Sequence, residues 1–278
     1  MANCRSLIND RNTSLPAHIM VFDSGIGGTT VLEHIKQRLP YAQYSYFMDN
    51  ALLPYGSQSQ QTIINRLCSL INFIDTKRLN VDLIVIACNT ASTSALSAVR
   101  QITTIPIVGV VPAIKPAAEL TMSKHIGLLA TPTTIASSYT KTLIAEHASK
   151  IRVSLYSSVE LVNLAEQYYF HGTFDIKQLH NVLAKLELEK SIDVLVLGCT
   201  HFPILAQQIK AYFKNNIQLV DSGIAIANRV SYLLTKLALQ TQTDIKKPLQ
   251  YYATADVSSS KLAVKIVTLS DPPHCEVR

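Results

Sequence analysis

Two cysteines stand in the same local setting. Asp82-Leu83-Ile84-Val85-Ile86-Ala87-Cys88-Asn89-Thr90 and Asp193-Val194-Leu195-Val196-Leu197-Gly198-Cys199-Thr200-His201 run alike. Each passes from an acid through an apolar strand to a small residue, a cysteine and polar capping groups. A thiol at a helix start meets free N–H groups and the positive end of the helix dipole, which favour the thiolate. For an arbitrary cysteine, burial as a small apolar residue is the ordinary reading. Two in one rare context argue for a shared chemical task. Thiols on opposite sides of a carbon can remove a proton from one face and deliver one to the other, with roles exchanged in reverse. A hydrolase would need one nucleophile and a base.

Each thiol needs a neighbour that sets its protonation. His201 follows Cys199 closely enough to hydrogen-bond or exchange a proton with it. Asp23 ends the first strand, so it is expected to face Cys88 across neighbouring strand ends, or to cap a helix. Glu166 lies on a helical pattern, Val159 to Phe170, that by itself gives a solvated residue. Gly25-Ile26-Gly27-Gly28 is not a nucleotide loop: Thr30 stands where a third glycine would be needed, and no Gly-Lys-Ser/Thr follows. It reads as a glycine turn whose N–H groups hold a carboxylate at a helix N-terminus. Ser24, Asn89, Thr90, Thr131, Thr134 and Thr200 are neutral donors suited to the carboxylates of an amino acid. No lysine sits in a recognisable pyridoxal-phosphate setting and no Cys/His spacing suggests a metal, so no cofactor is expected.

These residues need a scaffold of strand ends. Strands are expected at Ile19–Phe22, Tyr44–Phe47, Leu83–Ala87, Ile107–Val110, Ile126–Ala130, Val153–Tyr156, Val194–Leu197 and Gln218–Val220. Amphipathic helical patterns lie between them, as in Ile63, Ile64, Leu67, Ile71 and Ile74. That alternation implies α/β architecture: doubly wound parallel sheets, with ligands beyond the carboxyl ends of the strands. Each candidate turn, including Thr131-Pro132-Thr133-Thr134, is expected to open a helix. The echo between the cysteine segments implies two similar domains with the site between them. The first spans 18–111 plus 224–278, the second 112–223. A long helix, Ile224 to Leu239, and a short strand near Tyr251-Tyr252 end the chain.

Composition narrows the class. Of 278 residues, 48% are apolar and 16% charged, enough to bury a large core. The net charge of +6 is scattered, with only pairs such as Lys77-Arg78 and Lys246-Lys247, so no nucleic-acid surface is expected. The polar stretch Met1 to Ala17 is unlike a secretory signal, and apolar runs are strand-length, so a cytoplasmic protein without a membrane span is expected. The cysteines, Cys4, Cys68, Cys88, Cys199 and Cys275, are odd in number and widely spaced, which argues against a disulfide framework or a zinc ribbon and leaves each as a buried apolar residue or a reactive thiol. Cys68 falls on the apolar face beside Ile64 and Ile71 and is expected to be core; Cys4 and Cys275 lie in unpatterned tails.

Taken together, Phe22-Asp23-Ser24-Gly25-Ile26-Gly27-Gly28, Pro54-Tyr55-Gly56, Ala87-Cys88-Asn89-Thr90-Ala91-Ser92, Gly109-Val110-Val111-Pro112-Ala113-Ile114 and Leu197-Gly198-Cys199-Thr200-His201-Phe202-Pro203 resemble the glutamate racemase family. With Asp221-Ser222-Gly223 and Tyr252-Ala253-Thr254, the resemblance runs from about His18 to about Asp256. It implies cofactor-independent interconversion of L- and D-glutamate for peptidoglycan, with Cys88 and Cys199 as the acid/base pair, Asp23 assisting the first and His201 the second. Glu166 corresponds to a further family acid, although Ser157-Ser158-Val159 replaces the usual Ala-Cys-Pro before it. Thr131 and Thr134 correspond to substrate-site threonines, with Ala130 in place of the usual glycine. Pro54, Tyr55 and Gly56 are expected to line the substrate. The polar N-terminal extension is similar to that of members activated by UDP-N-acetylmuramoyl-L-alanine. Some members bind gyrase, on which these residues are silent, and a homodimer is an open expectation. Aspartate racemase is the neighbouring alternative; the Asp-Ser-Gly-x-Gly-Gly and Cys-Thr-His-Phe-Pro forms favour glutamate. By analogy with the family, Cys88 faces D-glutamate and Cys199 L-glutamate.

Overall fold

Every strand expected from the sequence forms, with ends moved by a residue or two. A computed structural model describes residues 16–214, 216–239, 247–257 and 262–270. The strands are β1 His18–Asp23, β2 Gln43–Met48, β3 Leu83–Ile86, β4 Ile107–Gly109, β5 His125–Ala130, β6 Arg152–Ser157, β7 Val194–Leu197, β8 Gln218–Val220, β9 Gln250–Ala253 and β10 Val264–Ile266. Two sheets result, in the orders β10-β9-β2-β1-β3-β4 and β6-β5-β7-β8, and every pairing is parallel. The helices are α1 Thr29–Arg38, α2 Gln60–Thr76, α3 Asn89–Ile102, α4 Ile114–Leu120, α5 Pro132–Ala136, α6 Ser138–His147, α7 Glu160–His171, α8 Ile176–Lys185, α9 Ala206–Tyr212 and α10 Gly223–Lys236. None of the described helices is long and apolar enough to cross a membrane.

Parallel strands covered on both faces must be apolar throughout, and alternate residues then serve opposite cores. Met20, Phe22, Ile84 and Ile86 point to one face of the first sheet, against Ile63, Leu67 and Ile71 of α2 and Val99 of α3. Ile19, Val21, Leu83 and Val85 point to the other, against Val31 and Ile35 of α1 and Ile226 and Val230 of α10. The second sheet divides likewise. Leu129, Leu195 and Leu197 meet Leu161 of α7, Leu179 of α8 and Ile209 of α9. Leu128, Val194 and Val196 meet Ile114 and Ala117 of α4. Each such apolar side chain, fully buried, stabilises the fold by about 1.5–3 kcal/mol. This is the doubly wound α/β architecture expected from the sequence, built twice.

A second echo is invisible in the sequence. His18 opens β1 and its Nε2 lies 2.7 Å from Ser45 Oγ on β2; His125 opens β5 and its Nε2 lies 2.9 Å from Ser154 Oγ on β6. The tail rejoins the first sheet, where α10 packs on α1 and β9 pairs with β2. β10 was not expected; three residues interrupted by Lys265 carry no readable period. Cys68 sits in the core on α2, as expected, but it is disulfide-bonded. This departs from the expectation of a free thiol, because wide spacing in sequence does not set distance in the fold. Cys4 and Cys275 lie outside the described residues.

Candidate active site

The carboxyl ends of β1, β3 and β7 bring the candidate residues together. Cys88 follows β3 and caps α3: its Sγ accepts the Ala91 N–H at 3.5 Å. Cys199 is placed differently. β7 leads through Gly198–His201 into a 3-10 turn, Phe202–Leu205, so no α-helix starts at Cys199 and the expected dipole assistance is lost there. Its neighbour is His201, whose Nδ1 lies 3.8 Å from Cys199 Sγ. Both cysteines are free and buried, at 6% and 7% exposure.

A chain of polar groups runs from the Cys88 thiol to Thr200, the residue after Cys199. Ser24 Oγ lies 3.8 Å from Cys88 Sγ and 3.4 Å from Asp23 Oδ1. The other oxygen of Asp23 accepts the Thr200 hydroxyl at 2.8 Å, and Thr200 is the neighbour of Cys199. Asp23 belongs to the first sheet and Thr200 to the second, so the path crosses between them. Asp23 is not the helix cap that its type allows; α1 has Gly28 at that position, with no side-chain cap. Instead Asp23 Oδ1 accepts the Gly25 N–H at 2.9 Å.

Glu166 is not solvated, as its helical pattern alone implied. It reaches from α7 to His201, whose Nε2–H donates to Oε1 at 2.7 Å. The same oxygen accepts the Ile26 N–H at 2.7 Å. The glycine turn therefore does hold carboxylates, but they are the protein's own Asp23 and Glu166. Tyr46, missed in the sequence, fixes the turn by donating to the Gly25 carbonyl at 2.7 Å.

The remaining donors cluster beside Cys88. The hydroxyls of Thr90, Thr131 and Thr134 form a buried triangle, with separations of 2.9, 3.2 and 3.0 Å. Asn89 is buried and its Nδ2 has no acceptor among the described residues, which leaves a donor available. The Tyr55 hydroxyl donates to buried Asp49 at 2.6 Å, and Gly56 of the same turn lies against Thr131. No described group of three or more His, Cys, Asp or Glu residues could hold a metal.

Electrostatics separates the two thiols. Burial, then the Asp23 charge, pushes the Cys88 thiol strongly up, against the Ala91 N–H and Ser24, so its protonated form is favoured. Burial also raises Asp23, opposed by the charge on His201. For His201, burial acts downward, but Cys199 and Glu166 outweigh it and hold the imidazole well above its ordinary range. The cationic form of His201 is therefore favoured, between Cys199 and Glu166.

Asn89, Cys199, Thr200, Thr30 and Ser222 line a cavity of about 10 Å³, room for roughly one water. The larger cavity, about 580 Å³ beside Met122, Asp193 and Lys210, is lined by none of these site groups. The glycine turn is packed tightly enough to test. Gly27 does not have a positive φ, so alanine is tolerated by the backbone, but a Cβ there would stand 2.4 Å from His201 Nδ1. Gly27→Ala is expected to lower kcat/KM by about 100-fold through displacement of His201, with thermal stability kept. An active Gly27→Ala enzyme would show that the imidazole position is unimportant.

Residues 26–230 match the Asp/Glu/Hydantoin racemase family. The chain is 47% identical to the glutamate racemase of Shewanella frigidimarina over 248 residues, 89% of this chain and 93% of that one. It superposes on the crystal structure of Escherichia coli glutamate racemase, in complex with L-glutamate and the activator UDP-MurNAc-ala, with a TM-score of 0.80 and 38% identity, covering 87% of this chain and 91% of that one. For the glutamate racemase of Francisella tularensis, in complex with D-glutamate, the TM-score is 0.75 and the identity 27%, over 92% and 98% of the two chains. The chain belongs to the glutamate racemases, within the Asp/Glu/Hydantoin racemase family.

Proposed function

We propose that this chain interconverts L- and D-glutamate, with Cys88 and Cys199 as acid and base on opposite faces of the α-carbon. The observation that carries the reading is the buried path from Cys88 through Ser24 and Asp23 to Thr200 beside Cys199. The site lies between two lobes, 18–111 plus 224–278 and 112–223. With L-glutamate, the Cys199 sulfur takes the α-proton, and the electron pair left on carbon takes a proton from the Cys88 thiol on the other face. Burial keeps that thiol protonated, as this direction needs. His201 supplies the counter-charge beside Cys199 during transfer, and Glu166 keeps His201 cationic. For D-glutamate the roles reverse, with Asp23 and Ser24 beside Cys88.

Asn89, Thr200 and the triangle of Thr90, Thr131 and Thr134 supply neutral donors for the two carboxylates of glutamate. Charged partners would hold an anion more tightly, but hydroxyls and an amide can follow it as charge moves onto the carbon. Burial of these donors strengthens each of these contacts. The D-glutamate formed serves peptidoglycan synthesis in the cytoplasm, and UDP-MurNAc-ala, the activator named with the Escherichia coli enzyme, is proposed to activate this chain.

The test is racemisation by the purified protein, without added cofactor, on L-glutamate and L-aspartate, with and without UDP-MurNAc-ala. Glutamate is expected to turn over faster, and faster still with the activator. Faster turnover of aspartate would reverse the substrate assignment.

A further inference from the structure

Thr133 was absent from the expected site residues, yet it joins the two sheet units at the rim. Its Oγ1 donates to the Gly56 carbonyl oxygen at 2.8 Å. Thr133 lies in the first turn of α5, between Thr131 and Thr134; Gly56 lies in the 3-10 turn Tyr55–Ser57 of the first unit. The approach is close. A Cβ on Gly56 would stand 2.6 Å from Thr131 Cβ. We infer that Thr133 is a positioning residue for racemisation. Its hydroxyl latches α5 to the Tyr55–Ser57 turn, so that Thr131 and Thr134 stay against Thr90 and the lobes stay closed over both thiols.

The first-unit side of this contact is stiff. The Tyr55 hydroxyl donates to Asp49 Oδ2 at 2.6 Å. Asp49 is fully buried; it also accepts Arg66 Nε at 2.7 Å, a second Arg66 nitrogen, and the Thr254 hydroxyl at 2.7 Å. A buried carboxylate held by that many donors resists movement, because any shift leaves a charge unpaired. The α5 side is light. It is a five-residue helix, and only neutral hydrogen bonds among the described residues tie it across: Thr133 to Gly56, and Thr134 to Thr90. A device of that form can hold the closed state and still release it. Release is required for an amino acid to reach the two thiols, which are buried here at 6% and 7% exposure.

The inference rests on glutamate entering between the lobes, so its test has a readout independent of racemisation. Thr133→Val removes the hydroxyl and keeps the shape; Thr133→Ser keeps the hydroxyl. Iodoacetamide labelling of Cys88 and Cys199 in the free enzyme, followed by mass spectrometry at each cysteine, reports how often the cleft opens. Loss of one net hydrogen bond is expected to speed labelling of both thiols by about 3- to 10-fold in Thr133→Val. KM for both enantiomers should rise by a similar factor at unchanged melting temperature, and Thr133→Ser should match the parent. Parental labelling in Thr133→Val, or a Thr133→Ser enzyme that behaves like Thr133→Val, overturns the latch. So does a fall in melting temperature large enough to explain the labelling. Faster labelling in a protein that racemises nothing would keep the latch and remove the proposed function.

Discussion

Cys88→Ser and Cys199→Ser are each expected to lose racemisation, by at least about 10²- to 10⁴-fold, the usual worth of one positioned acid or base. A serine hydroxyl fits either position but is a far weaker acid than a thiol, so it neither forms the anion readily nor gives up a proton as a thiol does. The fold should survive. A serine at position 88 can still accept the Ala91 N–H that Cys88 Sγ accepts, and neither cysteine is in a disulfide. The two variants part company in deuterated water. Cys199→Ser keeps the Cys88 sulfur, which can take the α-proton of D-glutamate and return deuterium to the same face. Exchange of D-glutamate without inversion should persist, while exchange of L-glutamate collapses. Cys88→Ser should show the mirror image. Proton NMR of the α-position, run separately on each enantiomer, reads both effects. If both variants racemise at the parental rate, the pair is not the acid/base machinery. If both exchange the two enantiomers equally, the sulfurs do not face opposite sides of the carbon.

The parts of this arrangement legible in the sequence are those set by local pattern. Leu83–Ile86 and Val194–Leu197 are continuous apolar runs, which a strand buried on both faces must be, and both strands form there. Cys88 caps a helix as read, because Asn89-Thr90-Ala91-Ser92 begins a regular amphipathic pattern. After Cys199 the same reading fails. Pro203 suits the start of an α-helix and of a 3-10 turn alike, so sequence did not separate them, and the turn formed.

What stayed hidden depends on how distant segments meet. Glu166 occupies a helical position that looks solvated until α7 is placed against the glycine turn, 140 residues away in sequence. Thr133 meets Gly56 across 77 residues and carries no motif of its own. Asp49 and Arg66 are an ordinary acid and base in the chain; only the fold buries the acid completely and turns the base onto it. Contact between polar groups far apart in the chain was the missing information in each case, and hydrophobic periodicity does not record it.

Glu166→Gln is expected to lower kcat/KM by about 100-fold, within the range of one acid/base contribution, and to move the basic limb of the pH profile toward acid. The substitution removes charge and little else. One oxygen, Oε1, accepts both the Ile26 N–H and the His201 Nε2–H, and a glutamine oxygen can do the same. The imidazole thus keeps its place and loses its anion. His201 is 2% exposed, so burial acts to remove its proton and is outweighed only by Cys199 and Glu166. With one of those partners neutral, His201 loses its proton at a lower pH than in the parent, and activity falls sooner as pH rises. The enantiomers have equal free energies, so kcat/KM must drop equally in both directions; the role of Glu166 beside Cys199 can show only in kcat and KM taken separately. The fall in kcat should be larger with L-glutamate, whose proton Cys199 takes. Glu166→Ala leaves the Ile26 N–H and a buried imidazole without a partner as well, and should be worse. A Glu166→Gln enzyme with the parental rate and pH profile would mean that the charge on His201 is set without Glu166, and that Cys199 works without the imidazolium beside it.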